Sequence, residues 1–359
     1  MRILITGICG YVGSRLAMCF KENLPGAHIY GIDNFLRHGA AFNLQLLRSK
    51  GIHVAHGDVR LGCDLRTLPD SDWVVDCAAN PSVLAGVAQT KDCTTEQLVG
   101  HNLHGTLNIL EYCRERKSGL VLLSTSRVYS IPALCRIPLK ETASRFELAP
   151  PLPSDLPGMS THGIAEEFPT SSPISLYGAT KLASEVMALE YGAAFGFPVW
   201  VDRCGVIGGP GQLGRIDQGI FSFWVYSCAL GRPLQYVGFG GTGKQVRDCI
   251  LAEDLANLVV RQMSNPDKSA PRVLNVGGGP DGALSLWEIT QICEEEFGHA
   301  IQVGVSPENR PYDIPYFVTD CRRAQEFWDW KPSCRAPDLV ANLCHWSASN
   351  MDFIRGLFS

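Results

Sequence analysis

The opening residues constrain this chain more than any others. Arg2–Thr6 reads RILIT, a short apolar run, and Thr6-Gly7-Ile8-Cys9-Gly10-Tyr11-Val12-Gly13 then leads straight into the helical pattern YVGSRLAMCFKEN. A strand that turns on glycines into a helix presents backbone N–H groups at the helix N-terminus, where the backbone can approach a pyrophosphate. A glycine turn alone is weak evidence, because any tight turn can use glycine. Here an acid, Asp33, follows 20 residues after Gly13 at the end of a second apolar run, HIYGID. An acid in that place accepts ribose hydroxyls and repels a 2′-phosphate, so the spacing points to NAD rather than NADP, with Arg37 close by as the one contrary sign. Cys9 inside the loop reads as a small filler, not a nucleophile.

Beyond Asp33 the chain alternates strand and helix. HVAHGD (53–58), WVVDCA (73–78) and LVLLST (120–125) read as strands, with helical stretches near 40–50 and 95–116 between them. Short apolar strands separated by helices imply a parallel sheet covered on both faces, with ligands at the carboxyl ends of the strands. The fold class expected is therefore α/β, a Rossmann-type doubly wound parallel sheet with a smaller C-terminal substrate-binding lobe. Gly7, Asp33, Asp58, Ala78 and Thr125 fall on one rim of that sheet. The proline-rich segment 126–174 has weak periodicity and reads as an ordered loop or lid. FPVWVDRC (197–204) returns a strand to the sheet, and RVLNVGG (272–278) reads as another. The domain reading is 1–204 for the nucleotide-binding part and 205–359 mainly for the second lobe, with segments near 247–278 returning to the first.

Composition narrows the class. The chain has 359 residues, 45% apolar and 19% charged, which suits a well-packed globular protein. No apolar run reaches the ~20 residues that span a bilayer, and no cleavable signal pattern is visible, so the expectation is a cytoplasmic enzyme without a membrane partner. A formal charge of −5 argues against a nucleic-acid surface. The 14 cysteines lie scattered through apolar segments without a CxxC pair, and read as reduced, buried thiols with no metal site.

Tyr177-Gly178-Ala179-Thr180-Lys181 opens a second helical pattern. Tyr and Lys at i and i+4 share a helix face, so an ammonium can stand near a phenol and favour its deprotonated form. A general base needs a small hydroxyl opposite it to hold an alcohol oxygen, and Thr125 at the sheet rim is the candidate. Taken alone, a YxxxK pattern is more often a surface Tyr and a solvated Lys. The glycine loop and the rim hydroxyl turn the reading towards chemistry.

With these residues in view, TGICGYVG, DNFLRHG (33–39), HGDVR (56–60), HNLHGTLNILE (101–111), STSRVY (124–129), YGATK and LNVGGG (274–279) resemble the extended short-chain dehydrogenase/reductase superfamily. ETASRFE (141–147), DQGIFSFW (217–224) and GTGKQVRDCILAEDL (241–255) are similar to its branch of CDP-sugar 2-epimerases. The resemblance implies an NAD-dependent nucleotide-sugar epimerase, in which NAD takes hydride from a sugar carbon and returns it to the opposite face of the ketone. It implies Tyr177 as base, Lys181 on the nicotinamide ribose and Thr125 on the sugar oxygen. Gly7, Cys9, Gly10, Tyr11, Val12 and Gly13 would line the pyrophosphate, and Asp33, Asn34 and Arg37 the adenosine ribose. Asp58 and Val59 would meet the adenine, while Ala78, Ala79, Asn102, Ser124 and Cys204 would sit near the nicotinamide. Arg247 and Arg310 match positions that hold the substrate diphosphate, and Thr125, Ser126, Arg127, Gln212, Arg215 and Gln218 would line the sugar side. A homodimer through helices near 95–116 and 178–195 is also implied.

The residues after Thr125 separate related reactions. In 4,6-dehydratases of the superfamily an Asp-Glu pair follows the hydroxyl; here the positions read Ser126-Arg127. Neither side chain can supply the acid and base that eliminating water requires. The leading expectation is inversion at carbon 2 of a CDP-linked sugar, a hexose or deoxyhexose. The alternatives are 4-epimerisation or decarboxylation of a UDP-sugar, net oxidation or reduction, and an NAD sensor without catalysis.

Overall fold

The computed structural model describes residues 1–37, 39–87, 93–214 and 218–358. Its largest element is a seven-stranded parallel sheet made of β1 (Arg2–Thr6), β2 (His28–Asp33), β3 (His53–His56), β4 (Trp73–Asp76), β5 (Gly119–Thr125), β6 (Val199–Cys204) and β8 (Val273–Val276). β7 (Val246–Leu251) belongs to a second sheet. The order across the large sheet is β8-β6-β5-β4-β1-β2-β3. β1 therefore stands between β4 and β2, in register Ile3 with Trp73 on one side and with Ile29 on the other. The chain reverses its direction of travel across the sheet there, and a crevice opens beyond the carboxyl ends of β1 and β4.

Alternation along β1 shows why both faces are covered. Ile3 and Ile5 enter one buried cluster with Leu16, Ala17 and Phe20 of α1 (Tyr11–Asn23), whereas Leu4 enters another with Ile109 and Leu110. On the first face α1 packs against α5 (Ala252–Ser264). On the second face α3 (Gly105–Arg116) packs against α4 (Ser175–Phe195). α2 (Ala40–Ser49) lies beside α1. α3 continues a helix that begins at Thr95, where the Thr94 hydroxyl and the Gln97 side chain form a reciprocal cap, and passes through one wide π turn at Gly100–His104.

The second sheet gathers Val206–Gly208, β7, Ala283–Ser285 and Tyr316–Phe317. Its helices are Ile220–Ala229, Leu286–Phe297 and Ala336–Ser349, which share a core around Trp224, Ile289 and Leu343. Segment 126–174 is ordered and has a core of its own. Val128, Tyr129, Leu134, Ile164 and Phe168 pack there with Ile314 and Phe317 from the second lobe. Its hairpin, Leu139–Glu141 paired with Phe146–Leu148, is tied down by Arg145 Nε on Glu288 Oε1 at 2.6 Å. All fourteen cysteines are free. Among the described residues no helix is long and apolar enough to cross a membrane.

Candidate active site

The glycine loop is built from close approaches. Gly7 adopts φ +61, and a Cβ there would lie 2.9 Å from Ala78 Cα, so the loop after β4 can press against the turn only if position 7 lacks a side chain. A Cβ on Gly13 would stand 2.5 Å from the Gly7 carbonyl oxygen, which lets the first turn of α1 fold back onto the loop. Gly10 caps α1 without a side-chain hydrogen bond, leaving first-turn amides for an anion. Thr6 donates to Asp76 Oδ1 at 2.6 Å and accepts from the Ala78 N–H at 3.2 Å, joining the ends of β1 and β4 at the crevice. Tyr11 turns away from the loop towards Gly209, whose Cβ would lie 2.7 Å from the phenol oxygen, while Val12 packs against the core beneath.

Asp33 has a second task besides any ribose contact. Its carboxylate accepts the N–H of Cys9 at 2.9 Å and that of Phe35 at 2.8 Å, stitching the end of β2 to the glycine loop. Burial raises the Asp33 carboxyl while those two amides oppose the rise. Burial likewise pushes the Cys9 thiol up to about 12, which leaves a filler with no nucleophilic character. Asn34 donates to Asp58 at 3.1 Å, and Arg60 closes on the same carboxylate through Nη2 at 2.7 Å. Burial acts to raise the Asp58 carboxyl, but Arg60 and Asn34 outweigh it and hold it well below the usual range. The Val59 carbonyl accepts from Asn108 at 2.9 Å. Phe35, with φ +56, stacks on His56 at 5.5 Å, an aromatic pair beside Asn34 that no pattern in the sequence singled out.

The reacting end is set by a collision avoided. β5 ends at Thr125, and Ser126–Val128 forms one 3₁₀ turn whose Arg127 N–H donates to Thr125 Oγ1 at 3.2 Å. α4 begins at Ser175, with φ +71, and a Cβ on Gly178 would sit 2.3 Å from the Arg127 carbonyl oxygen. Glycine at 178 therefore lets the start of α4 press onto the turn after β5 and brings Tyr177 beside Thr125. Tyr177 is 7% exposed and Lys181 2%. Burial raises the Tyr177 phenol; a hydrogen bond with Thr125 and the guanidinium groups of Arg127 and Arg37 pull it back. The guanidinium groups of Arg127 and Arg37 are cations near Tyr177 that the Tyr-Lys spacing does not point to. Lys181 faces the thiols of Cys77 and Cys204 at the ends of β4 and β6.

Several residues expected at the ligands have partners within the protein. Asn102 is 1% exposed: its Oδ1 accepts the Asn80 N–H at 2.8 Å, and its Nδ2 donates to the Asn80 carbonyl at 3.0 Å and to Thr180 at 3.2 Å. Its side chain clamps the loop after β4, next to Ala79, onto α4. Ser124 donates inward to Glu185, which is ion-paired to Arg203 at 2.7 Å. Cys204 is buried behind them, with its thiol raised by burial. Gln212 spends its amide on the Ile207 carbonyl at 2.9 Å and on Ser222 at 2.7 Å, inside the second lobe. Gln218, in contrast, accepts from Arg37 and links the loop after β2 to the second lobe. Arg215 lies outside the described residues.

On the second lobe Arg247 donates to the Val246 carbonyl at 2.8 Å and the Ile314 carbonyl at 2.6 Å, and stands 3.5 Å from Asp313. Arg310 stands 3.7 Å from the same carboxylate. Arg127 reaches the cluster from the other lobe, giving one hydrogen bond to the Tyr312 carbonyl at 3.3 Å. Ser126 is half-buried at the start of its turn.

These features fit NAD. The glycine turn has room only for backbone, α1 has an uncapped N-terminus at the switch point, and the ammonium of Lys181 is buried at the carboxyl end of the sheet. The family model for the NAD dependent epimerase/dehydratase family matches residues 3–277. CDP-paratose 2-epimerase of Salmonella typhi is 30% identical over 97% of this chain and 100% of its own. UDP-glucuronate 4-epimerase of Thermodesulfobacterium geofontis is 24% identical over 99% of this chain and 98% of its own. Among solved structures, UDP-glucose 4-epimerase from Bifidobacterium longum in complex with NAD+ and UDP superposes with a TM-score of 0.77 at 22% identity, covering 98% of this chain and 99% of that one. With a match over residues 3–277 and a full-length relative at 30% identity, this chain belongs to the NAD dependent epimerase/dehydratase family.

Proposed function

We propose that this NAD-dependent nucleotide-sugar epimerase inverts carbon 2 of a CDP-linked hexose or deoxyhexose. The observation that carries epimerisation over dehydration is the turn after β5. Thr125 faces Tyr177, and the next two positions are Ser126 and Arg127, neither of which transfers a proton at neutral pH. The choice of carbon 2 and of a CDP carrier is supported by the likeness over the full length of CDP-paratose 2-epimerase.

Thr125 would hold the oxygen of the reacting alcohol and Tyr177 would take its proton, leaving a ketone on the sugar. When bound, NAD supplies the reversible two-electron acceptor for that carbon. Gly7, Gly10 and Gly13 would bring backbone amides to its pyrophosphate, Asp33 would take the adenosine ribose, and Lys181 would hold the nicotinamide ribose. Rotation of the ketone within the pocket would present its other face, and Tyr177 would then return the proton. Arg247 and Arg310 would grip the diphosphate, since a guanidinium offers several donors to phosphate oxygens. Because NAD is regenerated in each cycle, a catalytic amount should support complete equilibration. The exposed apolar side chains Val186 and Phe195 on α4 would form part of a homodimer face.

The test is incubation with CDP-, UDP-, GDP- and dTDP-sugars in deuterated water, with products read by NMR. The expected result is inversion at carbon 2 of a CDP-sugar without deuterium uptake. Inversion at carbon 4 of a UDP-sugar would replace this reading. Stoichiometric loss of NAD would make the protein a net oxidoreductase, and no turnover with any of the four would favour a sensor.

A further inference from the structure

Arg127 is the residue of the site whose task the sequence leaves open. Its backbone is held by the bond to Thr125 and by contact with Gly178, and the adjoining Val128 is completely buried. The side chain emerges half-buried with a single protein hydrogen bond, to the Tyr312 carbonyl. From there its charge is close enough to act on Tyr177, Asp313, Arg310 and Arg247. Arg247 and Arg310 thus stand at the Asp313 carboxylate, and Arg127 comes to the neighbouring Tyr312 carbonyl from the other lobe. Cations gathered in a poorly solvated place repel one another unless further negative charge arrives. Burial, and after it the neighbouring Arg127, brings the Arg247 guanidinium down to about 10.

The phenol at the other end of Arg127 is enclosed by groups from every neighbouring element. Thr125 comes from the end of β5, Arg37 from the loop after β2 and Cys204 from the end of β6. Of these, Arg127 is the one that also belongs to the arginine cluster of the second lobe.

We propose that Arg127 joins the diphosphate site to the catalytic base: its guanidinium takes a phosphate oxygen of the bound nucleotide sugar and, from the same position, stabilises the deprotonated form of Tyr177. The phosphate half of this rests on the function proposed above; the effect on Tyr177 does not. One cation serving both groups keeps the anomeric end of the sugar near the phenol. That favours reaction at the hydroxyl next to the anomeric carbon over the one across the ring. No covalent step is added, and Arg127 stays protonated throughout.

Arg127→Met and Arg127→Lys, made in the full chain and loaded with NAD, test the proposal without turnover. The Tyr177 titration is followed by tyrosinate absorbance as the difference from Tyr177→Phe, and binding of CDP and UDP by calorimetry. Arg127→Met should raise the Tyr177 titration by about one pH unit and weaken the preferred nucleotide about tenfold, as for one lost charge-assisted contact. Arg127→Lys should recover most of the titration shift, because the charge remains, but little of the binding, because the planar fork is gone. An unmoved titration in Arg127→Met overturns the link to the base, and unchanged nucleotide binding overturns the link to phosphate. Equal loss in Met and Lys variants with a lowered melting temperature would make Arg127 a structural residue and overturn both. If the wild type binds neither CDP nor UDP while Arg127→Met still shifts Tyr177, the proposed function fails and the coupling to the base stands.

Discussion

Tyr177 and Asp202 show how burial gives single residues opposite uses. As the proposed base Tyr177 would have to lose a proton, and its burial is offset by Thr125 and two guanidinium groups. Tyr177→Phe keeps the ring and removes the proton acceptor; turnover should fall by about 10³-fold or more while NAD stays bound, which a turnover assay and cofactor absorbance can check. Asp202, fully buried in β6, has one amide, Gln262, to set against its burial. Its Oδ1 accepts from Gln262 at 2.8 Å, and its Oδ2 and the Gln262 Oε1 are both without a partner. A proton on Oδ2 could bond to the Gln262 oxygen and satisfy both atoms, and burial raises the carboxyl to about 7. The folded value lies above the unfolded one, so this contribution to stability is complete below about pH 4, declines as pH rises, and is lost above about pH 7. Asp202→Asn should abolish that dependence and stabilise the protein at pH 8 by on the order of 3 kcal/mol. Urea unfolding at pH 5 and pH 8 measures it, and equal pH dependence in both proteins would refute it.

At the level of elements, α4 is the part whose placement matters most, and a buried polar chain holds it. Ser124 of β5, Glu185 of α4 and Arg203 of β6 are joined in sequence; Arg203 reaches the Tyr129 hydroxyl at 3.3 Å, and Tyr129 reaches Asn275 of β8 at 2.6 Å. Burial would lower the Arg203 guanidinium, but Glu185 more than compensates. Glu185→Ala would leave that charge buried and unpaired, at a cost of about 3–5 kcal/mol. Loss of turnover should exceed loss of NAD affinity, because the helix carries Tyr177 and Lys181 while the pyrophosphate cradle lies on α1. Thermal unfolding, steady-state kinetics and NAD titration together check this. The YxxxK pattern pointed to the two proposed site residues of this helix, but Glu185 and Arg203, and the clamp made by Asn102, could not be recognised. They are ordinary polar residues until the sheet brings β5, β6, β8 and α4 to one place.

For the whole molecule, the crevice lies between lobes that interleave in sequence. β6 and β8 belong to the large sheet, while β7, between them in sequence, belongs to the second sheet. Arg127 comes from one lobe and Arg247 and Arg310 from the other, so closure of the site depends on that interleaving. The same packing leaves Val186 and Phe195 of α4 more than half exposed. Apolar side chains of that size on the helix that carries the base fit a partner surface better than water. Val186→Glu should convert a dimer into a monomer in sedimentation equilibrium while leaving NAD binding in place; a wild-type monomer would refute the dimer.

Local physics made the cofactor end legible. A glycine turn between strand and helix, an acid at the end of β2 and a Tyr-Lys pair on one helix face are requirements that neighbouring residues meet among themselves, so their spacing survives in one dimension. Tertiary structure decided what those residues touch. It gave Asp33 to the glycine loop, turned Ser124, Asn102 and Gln212 inward, and brought the guanidinium of Arg127 to the Tyr312 carbonyl of the second lobe. Such assignments depend on contacts between residues far apart in the chain, formed only when the strands take their order in the sheet.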